Sequence, residues 1–158
     1  MTSKNIQFAR NLVKGKIAET IFAQMLRETG QFTVLEFGYE KIIPELVGQG
    51  YENNDDLVET LRTAPDFAVI DHTSHSVHLV EVKYQRTINA AYVLADAERM
   101  HKTWNPSYLF IATLDGFYHD EISRIIANHG AIAPLATTQV PQSKQDEYLK
   151  ILQDFEPK

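Results

Sequence analysis

Residues 65–85, PDFAVIDHTSHSVHLVEVKYQ, constrain the fold of this chain more than any other stretch. Two short runs rich in Val, Ile and Phe flank a polar segment of His, Thr and Ser, a pattern that predicts a β-hairpin. The first strand opens at Asp66, and side chains alternate faces along the second, so Glu81, Lys83 and Gln85 are expected on one face. Two carboxylates and an ammonium group at one sheet edge are typical of a metal-dependent hydrolytic site.

Composition sets the broad class of the protein. A chain of 158 residues that is 44% hydrophobic is expected to fold as a single domain over residues 1–158. It has no apolar run near the ~20 residues that span a bilayer and no apolar signal segment, so we expect a cytoplasmic protein without membrane contact. Since the chain has no cysteine, Asp, Glu and His are its strong metal ligands, which fit hard cations such as magnesium.

The charge distribution bears on nucleic-acid binding. A formal net charge of −6 argues against indiscriminate binding of nucleic acid, which depends on Lys and Arg. The first 30 residues are nevertheless locally basic and include Lys14 and Lys16. If the protein binds a polyanion, this segment and residues 83–102 are the expected contact surfaces. The alternative for the basic segment is a solvated helix face.

Hydrophobic periodicity predicts the remaining elements. In chain order we expect a helix over 6–28, a strand over 31–39, an irregular acidic segment over 40–64 with a short helix capped by Asp55 or Asp56, the hairpin strands over 66–71 and 77–84, a helix over 88–104, a strand over 107–114, a helix over 119–128, a loop or short edge strand over 130–136, and a helix over 144–155. This order predicts a mixed α/β arrangement.

Two predicted helices have apolar faces that should pack inward. In the first helix the face consists of Phe8, Leu12, Ala18, Ile21, Phe22, Met25 and Leu26. In the last it consists of Tyr148, Ile151, Leu152 and Phe155. Glu19 projects inside the first of these faces, where a carboxylate needs a cation or a metal ion as partner. The alternative is a side chain at the edge of the face that reaches water.

The hairpin residues match the needs of phosphodiester hydrolysis. This reaction requires a cation that polarises the phosphoryl oxygen, an activated water and stabilisation of the leaving oxygen. Asp66 and Glu81 are candidate magnesium ligands, and the Val82 carbonyl is a candidate backbone ligand. Lys83 would orient the attacking water or stabilise the developing negative charge, and an ammonium group favours the electrostatic role.

Pro65-Asp66 and Glu81-Val82-Lys83 resemble the motif of the PD-(D/E)xK nuclease superfamily, which has the restriction-endonuclease-like fold. The core of that family is a helix, an antiparallel meander of three strands, a helix and a further strand, forming a mixed sheet flanked by helices. The resemblance covers about residues 6–114 and implies the same core here. Residues 116–158 have no counterpart in it and are expected to be C-terminal helical additions.

The resemblance also implies roles for individual residues. Many members, including Holliday junction resolvase-like proteins, carry a Glu in the first helix, and Glu19 is similar to it. Gln85 resembles the Gln that follows the lysine in several exonuclease and resolvase branches. By resemblance Asp66, Glu81 and Glu19 would bind Mg²⁺ or Mn²⁺, and Lys83 would be the catalytic lysine.

The leading expectation is therefore a metal-dependent nuclease that hydrolyses phosphodiester bonds in DNA, in repair, recombination or a mobile element. Arg86, Tyr92 and Lys102 are candidates for contacting the nucleic acid, with packing or a helix-terminal charge as the alternatives. Resolvase-like relatives are often dimers, so the resemblance extends to a homodimer. The alternative function is a catalytically inactive domain of the same fold that binds nucleic acid or a protein, in which Glu81 and Lys83 form only an ion pair.

Overall fold

The structure is a computed structural model that describes residues 3–38, 60 and 63–156. Its elements in chain order are α1 (Ser3–Glu28), β1 (Phe32–Glu36), β2 (Phe67–Asp71), β3 (Ser76–Tyr84), α2 (Ala90–His101), β4 (Tyr108–Thr113), β5 (Gly116–Glu121), α3 (Ile122–Ala127) and α4 (Gln142–Phe155). The predicted short helix after Asp55 or Asp56 lies outside the described residues.

The five strands form one mixed sheet in the order β1-β2-β3-β4-β5. The β1–β2, β2–β3 and β4–β5 pairs are antiparallel, whereas β3 and β4 are parallel. A parallel pair requires a crossover between its strands, and α2 provides it. The predicted α/β arrangement, with a mixed sheet flanked by helices, is confirmed.

Apolar side chains cover both faces of the sheet. On one face Phe22 of α1 packs in a buried cluster with Phe110 of β4, and their rings lie 4.8 Å apart. On the other face Leu109 and Ile111 belong to a second cluster with residues of α2 and α3. The continuous apolar run of β4 therefore results from burial on both faces, as expected for a central strand.

The first correction concerns the segment after β4. We predicted a helix over 119–128, but residues up to Glu121 form strand β5 and α3 begins only at Ile122. The strand was not recognised because it contains polar residues such as Asp120. Asp120 is nevertheless buried, and its carboxylate accepts hydrogen bonds from the backbone N–H groups of Glu121 (2.9 Å) and Ala133 (3.2 Å). The C-terminal addition is thus a strand and two helices.

The second correction concerns the predicted apolar faces. Phe8 and Leu12 in α1 are 65% and 55% exposed, and Ile151 and Phe155 in α4 are also exposed. The α1 residues buried against the sheet begin at Ala18. With 26 residues α1 is about 39 Å long, much longer than the five-residue strands β1 and β2. The N-terminal half of α1 therefore extends beyond the sheet and is not buried by it.

Candidate functional site

Strand β3 is longer than its neighbour β2, and this difference creates an open edge. The β2–β3 pairing ends at Phe67 and Val80, whereas β3 continues to Tyr84. Residues 81–84 remain paired with β4 on their other side. The two hairpin strands therefore form a fork, and Asp66 lies where they separate.

Hydrogen bonds hold Asp66 at the fork. Its Oδ2 accepts the backbone N–H of Val82 at 2.8 Å, and its carbonyl accepts N–H groups of Phe37 (2.9 Å) and Gly38 (3.3 Å). The N–H and C=O groups of one strand residue point to the same side, so the Val82 carbonyl is also directed toward the open edge. A carboxylate and a backbone carbonyl thus share this edge.

The segment that leads into Asp66 is braced by an aromatic pair. Trp104 donates its indole N–H to the Thr63 hydroxyl at 2.9 Å, and its ring meets that of Phe37 edge to face at 5.8 Å. Pro65 is buried directly before Asp66. These contacts connect the residues before β2 to the residues that follow β1 and α2, and so fix the position of the Asp66 backbone.

Glu81 and Lys83 project from the same face of β3, as alternation along a strand requires. Their charged groups lie 3.3 Å apart, and the side chains are 13% and 38% exposed respectively. Burial and the nearby negative charge of Asp66 raise the pKa of Glu81 to about 7, although Lys83 and Arg99 act in the opposite direction. Glu81 therefore has one close cation, Lys83, and a second carboxylate, Asp66, near enough to repel its negative charge.

These residues line a cleft of about 330 Å³. Its walls include Gly15 and Glu19 from α1 and Asp66, Glu81, Val82 and Lys83 from the fork. The structure thus brings together four residues of the predicted motif, Asp66, Glu81, Val82 and Lys83, and the helical glutamate Glu19. The Glu19 carboxylate lies 4.0 Å from the Lys16 ammonium group.

Asp66 and Glu81 are the residues of the cleft that bear on whether it can hold a divalent cation. Within residues 3–38, 60 and 63–156, no group of three or more Asp, Glu or His side chains is arranged to hold a metal ion. The pair formed by Asp66 and Glu81 still fits Mg²⁺, which binds one or two carboxylates and keeps several waters. A cation between the two carboxylates would offset their repulsion, which adds to the effect of burial in raising the pKa of Glu81.

Gln85 lies one residue beyond β3 and is not among the residues that line the cleft. Its side-chain oxygen accepts the backbone N–H of Asn89 at 2.9 Å, and Asn89 in turn caps α2. In this structure Gln85 therefore positions the start of α2.

Two of the predicted nucleic-acid contacts belong to a separate ion-pair cluster. Lys14 and Arg86 each lie 2.9 Å from the carboxylate of Glu156, whose side chain is 5% exposed. The Lys14 ammonium group also lies 5.6 Å from the centre of the Tyr84 ring. These residues line a groove of about 1220 Å³, which shares Tyr84 and Asn11 with the cleft. We refer to Lys14, Arg86 and Glu156 as the Glu156 cluster.

The other three predicted contacts are exposed side chains outside the cleft. Lys16 lies on α1, Tyr92 in the first turn of α2, and Lys102 at its C-terminal end. The sequence analysis did not identify Glu156, because its partners are 142 and 70 positions away along the chain. It also did not single out Gly15, although a glycine inside a predicted helix is itself a signal.

A comparison with protein-family models finds no match, and a comparison with curated proteins finds none either. In the described part of the chain, no helix has both the length and the apolar character needed to cross a bilayer.

Proposed function

We propose that this protein is a metal-dependent phosphodiesterase of the PD-(D/E)xK type that hydrolyses DNA. The observation that carries the proposal is the cleft at the β2–β3 fork, where Asp66, Glu81 and Lys83 meet. The element order supports it as well. A helix, an antiparallel meander, a crossover helix and a strand parallel to the end of the meander follow one another here, as the resemblance implies.

Asp66, Glu81 and the Val82 carbonyl would hold Mg²⁺ or Mn²⁺. Such an ion, when bound, polarises a phosphoryl oxygen and makes a bound water more nucleophilic. Glu19 would add a third carboxylate from the opposite wall of the cleft. The raised pKa of Glu81 means that its proton must leave when a cation binds near pH 7.

Lys83 supplies a positive charge that belongs to the protein itself and does not depend on a bound metal ion. Its ammonium group lies 3.3 Å from Glu81 and is partly exposed toward the cleft. Since negative charge builds up on the phosphoryl oxygens and the leaving oxygen, a fixed ammonium group at this place stabilises the transition state more than the ground state. Lys83 therefore acts as an electrostatic catalyst.

DNA is the proposed substrate because its backbone supplies both the phosphodiester and the negative charge that this surface would attract. Lys16, Tyr92 and Lys102 have exposed side chains and would contact the strand. Lys14 and Arg86 contribute less than an unpaired cation would, because Glu156 neutralises part of their charge. The homodimer implied by the resemblance stays a prediction.

The decisive experiment measures cleavage of duplex, single-stranded and branched DNA in Mg²⁺ or Mn²⁺. We expect Lys83→Ala to lower the rate by about 10²–10³-fold, the loss typical of removing one group that stabilises transition-state charge. Lys150→Ala is the matched control, because it removes an exposed lysine of α4 and should leave the rate unchanged. Equal rates for wild type and Lys83→Ala would refute the mechanism.

The alternative is a non-catalytic domain of the same fold that binds nucleic acid or a protein. Two observations favour it: Glu81 and Lys83 already form an ion pair, and no three-carboxylate group is assembled in the described residues. The two functions differ in their need for metal. Only the nuclease predicts that Mg²⁺ binds the cleft and thereby stabilises the folded protein.

A further inference from the structure

Gly15 occupies an unusual position in the middle of α1. It lines the cleft and precedes Glu19 by about one helical turn. A Cβ atom built on Gly15 would meet no atom within 4 Å, so neither the sheet nor another helix excludes a side chain there. The space in front of Gly15 is open and belongs to the cleft.

Glycine at this position weakens the helix. Relative to alanine it leaves the unfolded chain more conformational freedom and is among the poorest residues for a helix interior. Packing does not explain the glycine, since an alanine methyl group would fit without contact. The missing side chain therefore leaves room beside α1 for a group that enters the cleft.

The surroundings of Gly15 indicate which kind of ligand would occupy this space. Asn11 and Glu19 lie four residues before and after it, on the same side of the helix. Asn11 and Tyr84 border both the cleft and the adjoining groove, which carries the cations Lys14 and Arg86. A chain of phosphates that extends from the cleft into the groove would cross α1 at Gly15.

We infer that Gly15 is the place where the sugar-phosphate backbone of an extended nucleic-acid strand passes against α1, so that its missing side chain determines whether the strand can enter the cleft. The inference rests on the proposed function and deepens it, because it assigns a path to the substrate. Gly15 is a specificity-determining residue on this path. The strand continues from the reacting phosphodiester toward the Glu156 cluster.

Two substitutions test the inference, Gly15→Ala and Gly15→Leu. Both residues favour a helix, so both variants should melt about 2–4 °C above the wild type. Both should bind DNA more weakly, because a side chain now occupies the open space. For Gly15→Leu we expect about a tenfold or larger loss of affinity for a fluorescent single-stranded oligonucleotide, with a smaller loss for Gly15→Ala. Binding is measured in a Lys83→Ala background with Mg²⁺, and KM and kcat in the wild-type background.

Thr20→Ala serves as the control for helix stability. Thr20 is exposed on α1 and does not line the cleft, and alanine is the better helix former. It should raise the melting temperature without changing binding or KM. An equal loss of binding in Thr20→Ala would attribute the effect to a stiffer helix and overturn the inference.

The outcomes separate this inference from the proposed function. If the wild type cleaves DNA and Gly15→Leu leaves KM and affinity unchanged, only the inference is wrong. If the wild type neither cleaves nor binds DNA, both are wrong. A lower melting temperature for Gly15→Ala would also overturn the inference, since the space beside Gly15 would then be needed for packing.

Discussion

Two largely buried glutamates, Glu81 and Glu156, have opposite electrostatic surroundings. Glu156 lies between two cations, with Lys14 and Arg86 each at 2.9 Å. Glu81 has one close cation, Lys83 at 3.3 Å, and the negative charge of Asp66 raises its pKa further beyond the effect of burial. One glutamate therefore has more positive than negative charge nearby, and the other is part of a pair of carboxylates.

The difference distinguishes two kinds of ion pair. The pairs of Glu156 connect elements of the fold, whereas the Glu81–Lys83 pair lies beside a second carboxylate in the cleft. The Glu156 cluster joins the end of α4 to α1 and to the loop after β3, and its one carboxylate pairs with two cations of the protein. At the fork the protein keeps two carboxylates close together at a cost in stability. That excess of negative charge is the physical reason to expect a divalent cation in the cleft and not at Glu156.

The largest expected effect on stability comes from Glu81. Its pKa is about 7 in the folded protein against 4.5 for an unperturbed glutamate, so between these values the folded state binds the extra proton and stability falls as pH rises. Below about pH 4.5 the effect is absent, and above about pH 7 it is complete. In metal-free buffer, the free energy of unfolding of Glu81→Gln relative to wild type should therefore rise by about 3 kcal/mol between pH 4.5 and 8.

Urea unfolding at several pH values measures this difference, and the comparison between two proteins cancels most other titrating groups. Asp66→Asn is the companion variant. It removes the charge that repels Glu81, so the pH dependence of stability should become smaller than in the wild type. A pH-independent difference between Glu81→Gln and wild type would mean that Glu81 is solvated like an ordinary surface carboxylate.

Replacing Glu156 should destabilise the protein, because its carboxylate pairs with two cations and not with a second carboxylate. Glu156→Gln leaves the Lys14 ammonium group without its carboxylate and should lower the free energy of unfolding by about 2 kcal/mol near neutral pH. We expect less than for a fully buried pair, because the Arg86 side chain is 61% exposed and can be solvated. Urea unfolding of Glu156→Gln beside Glu147→Gln, an exposed acid within α4, is the measurement. Equal stability of the two variants would show that the cluster does not anchor α4.

The sequence predicted the fork much better than the Glu156 cluster, and the reason is the range of the interactions. Alternation along β3 places Glu81 and Lys83 on one face, and hairpin pairing brings Asp66 to Val82, between them, across 16 positions of chain. Such local patterns can be read from residue types. The ion pair between Lys14 and Glu156 joins residues 142 positions apart, and no local pattern in either segment indicates it.

The prediction of the fold was limited in the same way, by contacts between residues far apart in the chain. The continuous apolar run of β4 and the two apolar runs of the hairpin were predictable because burial of a strand can be recognised from its own residue types. Strand β5 was not, since the burial of Asp120 depends in part on the backbone N–H of Ala133, 13 positions away, which only the tertiary structure brings close. The exposure of Phe8 and Leu12 likewise depends on where the sheet ends beneath α1, which helical periodicity does not contain.

The smallest of the three effects, binding of Mg²⁺, decides between a nuclease and a non-catalytic domain. At ten times its Kd, a ligand that binds only the folded state stabilises it by about 1.4 kcal/mol, or roughly 3–5 °C in melting temperature for a chain of this size. Because Glu81 must lose its proton, Mg²⁺ should bind about tenfold more weakly at pH 6 than at pH 8. The melting shift should therefore be larger at pH 8.

The two glutamates provide the internal control for this experiment. Glu81→Gln should abolish the Mg²⁺ shift at both pH values, since one of the two carboxylates is lost. Glu156→Gln should melt at a lower temperature but keep the full shift, because its carboxylate faces two cations and not the cleft. A shift that survives in Glu81→Gln would place the cation elsewhere on the protein. If wild type shows no shift at pH 8, even in Mn²⁺, the Glu81–Lys83 pair is a structural contact and the non-catalytic alternative is the better account of the fork.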